Sequence, residues 1–185
     1  MMCLRNISPA GAAAGLLTLA FAISSPQASR GDEGYKVSDK KDGYSAIFPS
    51  KPKFTEEANG GKHYMLAFEK AGAVDVAGVY VLQVGRLGPN IDLKDKPSVK
   101  HFLGRVKKGL LAGFPGSKLV SAKDDDTGPH PTLALKFELA DSGGEYVARI
   151  ILDNQHLYQV SVVGDKLFVN GDDAVRFLDS FALED

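Results

Sequence analysis

Along most of the chain, apolar side chains recur at every second position, which is the spacing of a β-strand with one buried face. A first strand is predicted over residues 43–49, where Tyr44, Ala46 and Phe48 share one side and Pro49 ends the strand. Residues 74–84 are apolar on both faces, which is typical of a strand covered on both sides. The same spacing predicts five further strands, at residues 63–69, 118–123, 133–139, 145–152 and 157–163.

In two segments the apolar spacing changes to that of an amphipathic helix. The first helix is predicted from an apolar stripe that spans about 100° of arc, and Pro97 suits its first turn. The stripe consists of Val99, Phe102, Leu103, Val106 and Leu110. A second helix is predicted over residues 172–180, because Asp172 and Asp173 provide the negative charge that a helix N-terminus favours.

Short turn sequences are predicted between the later strands, at residues 141–144 and 153–155. An earlier turn is predicted at residues 51–53. Consecutive hairpins favour an antiparallel sheet. We therefore predict an α+β fold, in which a mostly antiparallel sheet of about six to seven strands is covered by two amphipathic helices. This single domain is expected over residues 42–185, after a flexible lead-in over residues 29–41.

The N-terminal residues have the pattern of a secretory signal peptide, which we place at residues 1–28. Arg5 is the only charged residue before Arg30, residues 10–23 are apolar, and small polar residues follow. The apolar run is shorter than the roughly 20 residues that a membrane-spanning helix needs. The alternative is a buried N-terminal helix. The preferred interpretation predicts an exported chain, periplasmic or secreted, without a transmembrane segment after cleavage.

The charge and the cysteine content of the chain exclude several classes of function. The formal net charge is −1, so the chain lacks the basic excess of a nucleic-acid-binding protein. The only cysteine is Cys3, inside the predicted signal peptide. A cleaved chain would therefore have no disulfide, cysteine nucleophile or thiolate metal site. We expect no cofactor.

Motifs near both ends of the domain resemble those of the PsbP-like superfamily, named for an extrinsic photosystem II subunit. The resemblance rests on three motifs. They are GYSAIFP at residues 43–49, with Lys51 and Pro52 after it, LYQVSVVG at residues 157–164, and FLDSF at residues 177–181. Exported bacterial members open on a strand with a Phe-Pro-x-x-Pro motif and close on a helix with a Phe-x-x-Ser-Phe motif. The resemblance implies a single α/β/α sandwich domain and specifies no activity.

The residues that could act in catalysis or metal binding are scattered along the chain. The histidines His63, His101, His130 and His156 have no metal-ligand spacing, and neither Gly-x-Ser-x-Gly nor Gly-x-Gly-x-x-Gly occurs. The acidic run at residues 124–126 begins like a calcium loop, but Leu135 stands where the loop would need its bidentate glutamate. We therefore predict a solvated hairpin loop there, and neither a catalytic nor a metal site.

The first predicted helix has the most distinctive surface. Opposite its apolar stripe lie Lys100, Arg105, Lys107 and Lys108, together with His101, and no acidic residue occurs between Pro97 and Lys123. A face of one charge sign can attract an anionic surface or an acidic protein. The alternative is a solvated face balanced by nearby acidic loops. The leading hypothesis is a non-catalytic binding or accessory module, and the alternative is a small secreted hydrolase that uses loop carboxylates and histidine.

Overall fold

The computed structural model describes residues 34–69, 76–88, 91–125, 127–140, 142–153 and 156–184. The predicted signal peptide and the first residues of the predicted lead-in lie outside the described residues.

A seven-stranded antiparallel sheet forms the centre of the structure, with the strand order β3-β4-β5-β9-β8-β7-β6. Each neighbouring pair is antiparallel, as the consecutive hairpins predict. The strands are β3 (Lys53–Glu56), β4 (Lys62–Glu69), β5 (Val76–Arg86), β6 (Lys118–Asp125), β7 (Thr132–Glu138), β8 (Glu145–Asp153) and β9 (His156–Gly164).

A second, three-stranded antiparallel sheet joins the two ends of the domain. In it, β2 (Tyr44–Phe48) lies between β1 (Tyr35–Asp39) and β10 (Ala182–Leu183). The three helices are α1 (Lys96–Gly113), α2 (Lys166–Val169) and α3 (Asp172–Ser180).

The large sheet is covered on both faces, and the alternation of its side chains separates two cores. On the first face, Val99 and Leu103 of α1 pack over Leu135 of β7 and Ile150 of β8. We call this the α1 face. On the opposite face, the small sheet, α2 and α3 pack over β5 and β9, with Phe177 of α3 in the core. The two faces make up one sandwich around the central strands β9 and β8.

These elements confirm the predicted α+β class and the antiparallel sheet with seven strands. The second predicted helix coincides with α3, and α1 contains the predicted apolar stripe. Of the two faces of β5, the one with Tyr80, Leu82 and Val84 is buried, whereas Val79 and Val81 on the other remain partly exposed. This strand is therefore fully covered on one face and partly covered on the other.

Five elements depart from the sequence expectations. Residues 35–39, predicted as part of a flexible lead-in, form β1, and Lys53, predicted as part of a turn, begins β3. The short elements α2 and β10 were not predicted. Asp124 and Asp125 end strand β6 rather than lying in a loop. The unpredicted strands are short or fully exposed, so their sequences lack the long apolar alternation of the central strands.

Candidate functional site

Helix α1 holds all four residues of the predicted basic site. Lys100, Arg105 and Lys108 are exposed, and Lys107 is half-buried on the flank of the helix. Pro97 lies at the start of α1, and its first turn contains no acidic residue. We call Lys100, Arg105, Lys107 and Lys108 the basic surface.

The four cations of the basic surface have no acidic partner among the described residues. None of its four residues forms an ion pair with another residue in the described ranges, whereas Lys136 contacts Glu145 at 2.7 Å and Lys166 contacts Glu138 at 2.8 Å. Asp125, at the end of β6, instead accepts hydrogen bonds from the hydroxyl and the backbone N–H of Thr127. Within the described residues, the charges of the basic surface are therefore left without ion pairs.

The apolar side of α1 is already used within the domain. Val99 and Leu103 are each only 3% exposed, and Phe102 packs against the same core. The large hydrophobic residues that are exposed in the described part of the chain lie outside α1. An interfacial membrane helix inserts its apolar side between lipids, and α1 has no free apolar side for that purpose.

Three of the histidines lie near acidic side chains, and two of these pairs are neighbours, because Asp153 lies opposite His156 in the β8–β9 pair. The His63 Nε2 is 3.0 Å from Glu57 Oε1, and His156 Nε2 is 3.7 Å from Asp42 Oδ1. The His130 Nδ1 lies 3.1 Å from an oxygen of Asp153 without forming a hydrogen bond to it, and this nitrogen has no hydrogen-bond partner among the described residues.

None of these three histidines lines either of two surface clefts found among the described residues. One cleft, of about 210 Å³, lies where the start of α1 meets Pro129 and Pro131. The other, of about 290 Å³, lies between Tyr35 of β1 and Phe54 of β3. Both are smaller than the roughly 300–1,000 Å³ of typical small-molecule sites. None of the three histidine–acid pairs lines either cleft, so nothing in this arrangement supports the hydrolase alternative.

A buried ion-pair cluster joins the β1–β2 turn to the start of β4. The Lys62 Nζ contacts a carboxylate oxygen of Asp39 and lies 2.6 Å from Asp42 Oδ2. The Tyr158 hydroxyl donates a 2.5 Å hydrogen bond to the backbone carbonyl of Asp42. The hydrogen bond from Lys62 is the largest influence that holds the pKa of Asp39 below its ordinary value.

The same cluster changes the acid–base properties of its other members. Burial acts to lower the pKa of Lys62, but its hydrogen bonds to Asp39 and Asp42 outweigh that effect and raise the pKa. Burial raises the pKa of Tyr158 to about 12, so its hydroxyl stays protonated and can donate. The members of this cluster are separated along the chain and form no motif, so the sequence pattern does not predict it.

In the described part of the chain, no three His, Cys, Asp or Glu side chains come close enough together to hold a metal ion. Within the same residues, no helix combines the length and the apolar character that a membrane crossing needs.

Comparisons with known proteins address the fold alone. The sequence matches no protein-family model and no curated protein. The structure is similar to the solution structure of cyanobacterial PsbP (CyanoP) from Synechocystis sp. PCC 6803, with 16% sequence identity, a TM-score of 0.54, and coverage of 86% of this chain and 99% of that chain. It is more distantly similar to a crystal structure from Bacteroides thetaiotaomicron VPI-5482, with 14% identity, a TM-score of 0.44, and coverage of 83% of this chain and 49% of that chain. The element order and the similarity to CyanoP agree with the family resemblance of the sequence, and this chain has the PsbP-like fold.

Proposed function

We propose that this chain is an exported, non-catalytic accessory protein that binds an acidic protein surface through the basic surface of α1. The observation that carries the proposal is the set of four cations on one helix, none of them paired with a described acidic residue. Ordinary surface helices mix charge signs and gain stability from pairs at i,i+4 spacing. A helix of one charge sign lacks those pairs and instead attracts partners of opposite charge.

The packing of α1 favours a protein partner over a lipid bilayer. Stable binding at a membrane interface combines electrostatic attraction with insertion of apolar side chains. In α1, Val99 and Leu103 are buried against the large sheet and cannot insert without unfolding the domain. The contact that remains available is a polar one, as in the rim of a protein interface.

Charge reversal tests the basic surface directly. The triple variant Lys100→Glu, Arg105→Glu and Lys108→Glu should bind immobilised poly-L-glutamate at least about tenfold more weakly than wild type, because attraction becomes repulsion. Wild-type binding should weaken strongly between 0.1 M and 1 M salt, since the Debye length falls from about 10 Å to about 3 Å.

The matched control reverses three exposed lysines outside α1, Lys40, Lys41 and Lys51, and thereby makes the same change in net charge. It should bind like wild type. Equal binding by the two triple variants would overturn the assignment to α1. Stronger wild-type binding to phosphatidylglycerol vesicles than to poly-L-glutamate would overturn the choice of a protein partner.

Export is the second part of the proposal and rests on the predicted signal peptide. The mature chain should begin between Ser25 and Gly31, after the apolar run. N-terminal sequencing of the protein from the envelope fraction measures this directly, and recovery of Met1 or Met2 as the first residue would contradict export by cleavage.

A further inference from the structure

Strand β6 is an open edge of the large sheet. No described strand lies beyond it, and all eight of its residues are exposed. Two of them are large apolar residues, Leu119 at 38% and Val120 at 53% exposure. The opposite edge, β3, has only four residues. A long edge strand offers unpaired N–H and C=O groups to another strand.

The charges of β6 are arranged so that the strand complements itself. Lys118 begins the strand and Asp125 ends it. Lys118 lies opposite Glu138 of β7, and Asp125 lies opposite Thr132. Positions 132 and 138 are an even number of residues apart, so Lys118 and Asp125 project from the same face of the sheet. In an antiparallel pair of β6 strands, the basic end of each copy meets the acidic end of the other.

A β-bulge sets the register of such a pair. The pairing with β7 shifts between Leu119 and Ser121, so Val120 is an extra residue. When the two-fold axis passes midway between the Ala122 residues of the two copies, each Ser121 lies opposite Lys123 of the other copy. The side chains of Ser121 and Lys123 then project from the same face of the sheet. Beyond the bulge, Leu119 then lies opposite Asp124, and Lys118 lies opposite Asp125. Every pair in this register joins side chains on the same face, as an antiparallel sheet requires.

We propose that two copies of this chain associate through β6, antiparallel about a two-fold axis at Ala122, so that their large sheets become one continuous sheet. The interface is isologous, because both copies use the same strand. The axis is perpendicular to the sheet, so both α1 helices lie on one side of the dimer. This proposal does not rest on the function proposed above, although a dimer would present two basic surfaces to one partner.

The charge pairs provide a test by complementation. Lys118→Glu places like charges opposite each other at both ends of the interface, and Asp125→Lys does the same with the opposite sign. Each variant alone should have a dimer dissociation constant at least about tenfold above that of wild type. Mixed in equal amounts, the two variants should form a heterodimer, because Glu then faces Lys at one end and Lys faces Asp at the other.

Analytical ultracentrifugation of purified protein expressed from the full-length sequence measures these dissociation constants. Lys40→Glu, on the exposed β1–β2 turn, controls for the change in net charge and should dimerise like wild type. A wild type that is monomeric up to about 1 mM would overturn the proposal, since even weak specific association is detected at that concentration. Unchanged dimers of both variants, or a mixture that does not associate, would also overturn it.

Disulfide trapping tests the position of the axis independently. In a Cys3→Ser background, Ala122→Cys should form an intermolecular disulfide on oxidation, because facing residues of paired strands have Cα atoms about 4.5–5.5 Å apart. Thr55→Cys, an exposed position on the opposite edge strand β3, is the matched control and should stay unlinked. Equal cross-linking at the two positions would contradict pairing through β6.

Discussion

The hydroxyl of Ser180 connects the last helix to β2, the strand that contains the motif at residues 43–49. Its oxygen accepts a 2.8 Å hydrogen bond from the backbone N–H of Ile47 and donates at 2.8 Å to the carbonyl of Phe177. Beside this contact, the rings of Phe177 and Phe48 lie 4.6 Å apart. Two of the motifs that carry the family resemblance, at residues 43–49 and 177–181, thus pack against each other.

Removal of the Ser180 hydroxyl should destabilise the domain. Ser180→Ala leaves the N–H of Ile47 without its partner in a partly buried position, which costs about 1–3 kcal/mol. Urea denaturation followed by circular dichroism measures the free energy of unfolding. Ser38→Ala, at an exposed position in β1, should change that free energy by less than about 0.5 kcal/mol. Equal effects of the two substitutions would contradict a structural role for this hydrogen bond.

Lys62 should contribute more to stability than an exposed lysine. Lys62→Met leaves the carboxylates of Asp39 and Asp42 close together without their cation, and loss of one partner of a buried ion pair costs about 3 kcal/mol or more. The matched control is Lys36→Met, because Lys36 pairs with Glu184 at 3.3 Å at the surface. That control should cost less than about 1 kcal/mol. Denaturation of both variants at pH 7 provides the comparison.

The effect of Lys62→Met should depend on pH in a predictable direction. Asp39 has a folded-state pKa below its usual 3.8, so its contribution is present above pH 3.8 and is lost as the pH falls through the folded value. Lys62 has a pKa raised above 10.5, so its contribution is present below pH 10.5 and is lost as the pH rises further.

The difference in unfolding free energy between wild type and Lys62→Met should therefore be largest on a plateau between these limits, and should shrink on both sides. Denaturant titrations at a series of pH values measure it. A difference that stays constant from pH 7 down to pH 2 would show that Lys62 acts through packing rather than through charge.

Gly78 should tolerate no side chain, because the ring of Phe168 lies directly over it. A Cβ atom at position 78 would clash with the Cδ1 and Cε1 atoms of Phe168. Gly78→Ala should destabilise the domain by about 3 kcal/mol through overpacking. Gly85→Ala is the control in the same strand, since no atom lies within 4 Å of its added Cβ.

The double variant Gly78→Ala and Phe168→Ala tests the cause of that destabilisation. Without the ring, the added methyl group has space, so the double variant should lose at least about 1 kcal/mol less than the sum of the two single variants. Additive losses would show that the clash with Phe168 is not responsible.

The sequence by itself determined the elements in which one spacing of apolar side chains is repeated over a long stretch. Strands β7, β8 and β9 and helix α3 follow directly from their apolar spacing, because one burial pattern is repeated over at least seven residues in each of these elements. The helical stripe of α1 and the exposure of its basic residues are also local properties. In an element of this kind, the local spacing of apolar side chains shows which side faces the core.

Only the tertiary structure decided the elements that depend on distant partners. All four residues of β3 are exposed, β10 has only two residues, and β1 has a single buried residue, Val37, so local apolar spacing carries too little information to predict them. The cluster of Lys62 with Asp39 and Asp42 likewise exists because the β1–β2 turn folds onto the start of β4. Contacts between residues far apart in the chain depend on the packing of whole elements, which no local spacing of side chains encodes.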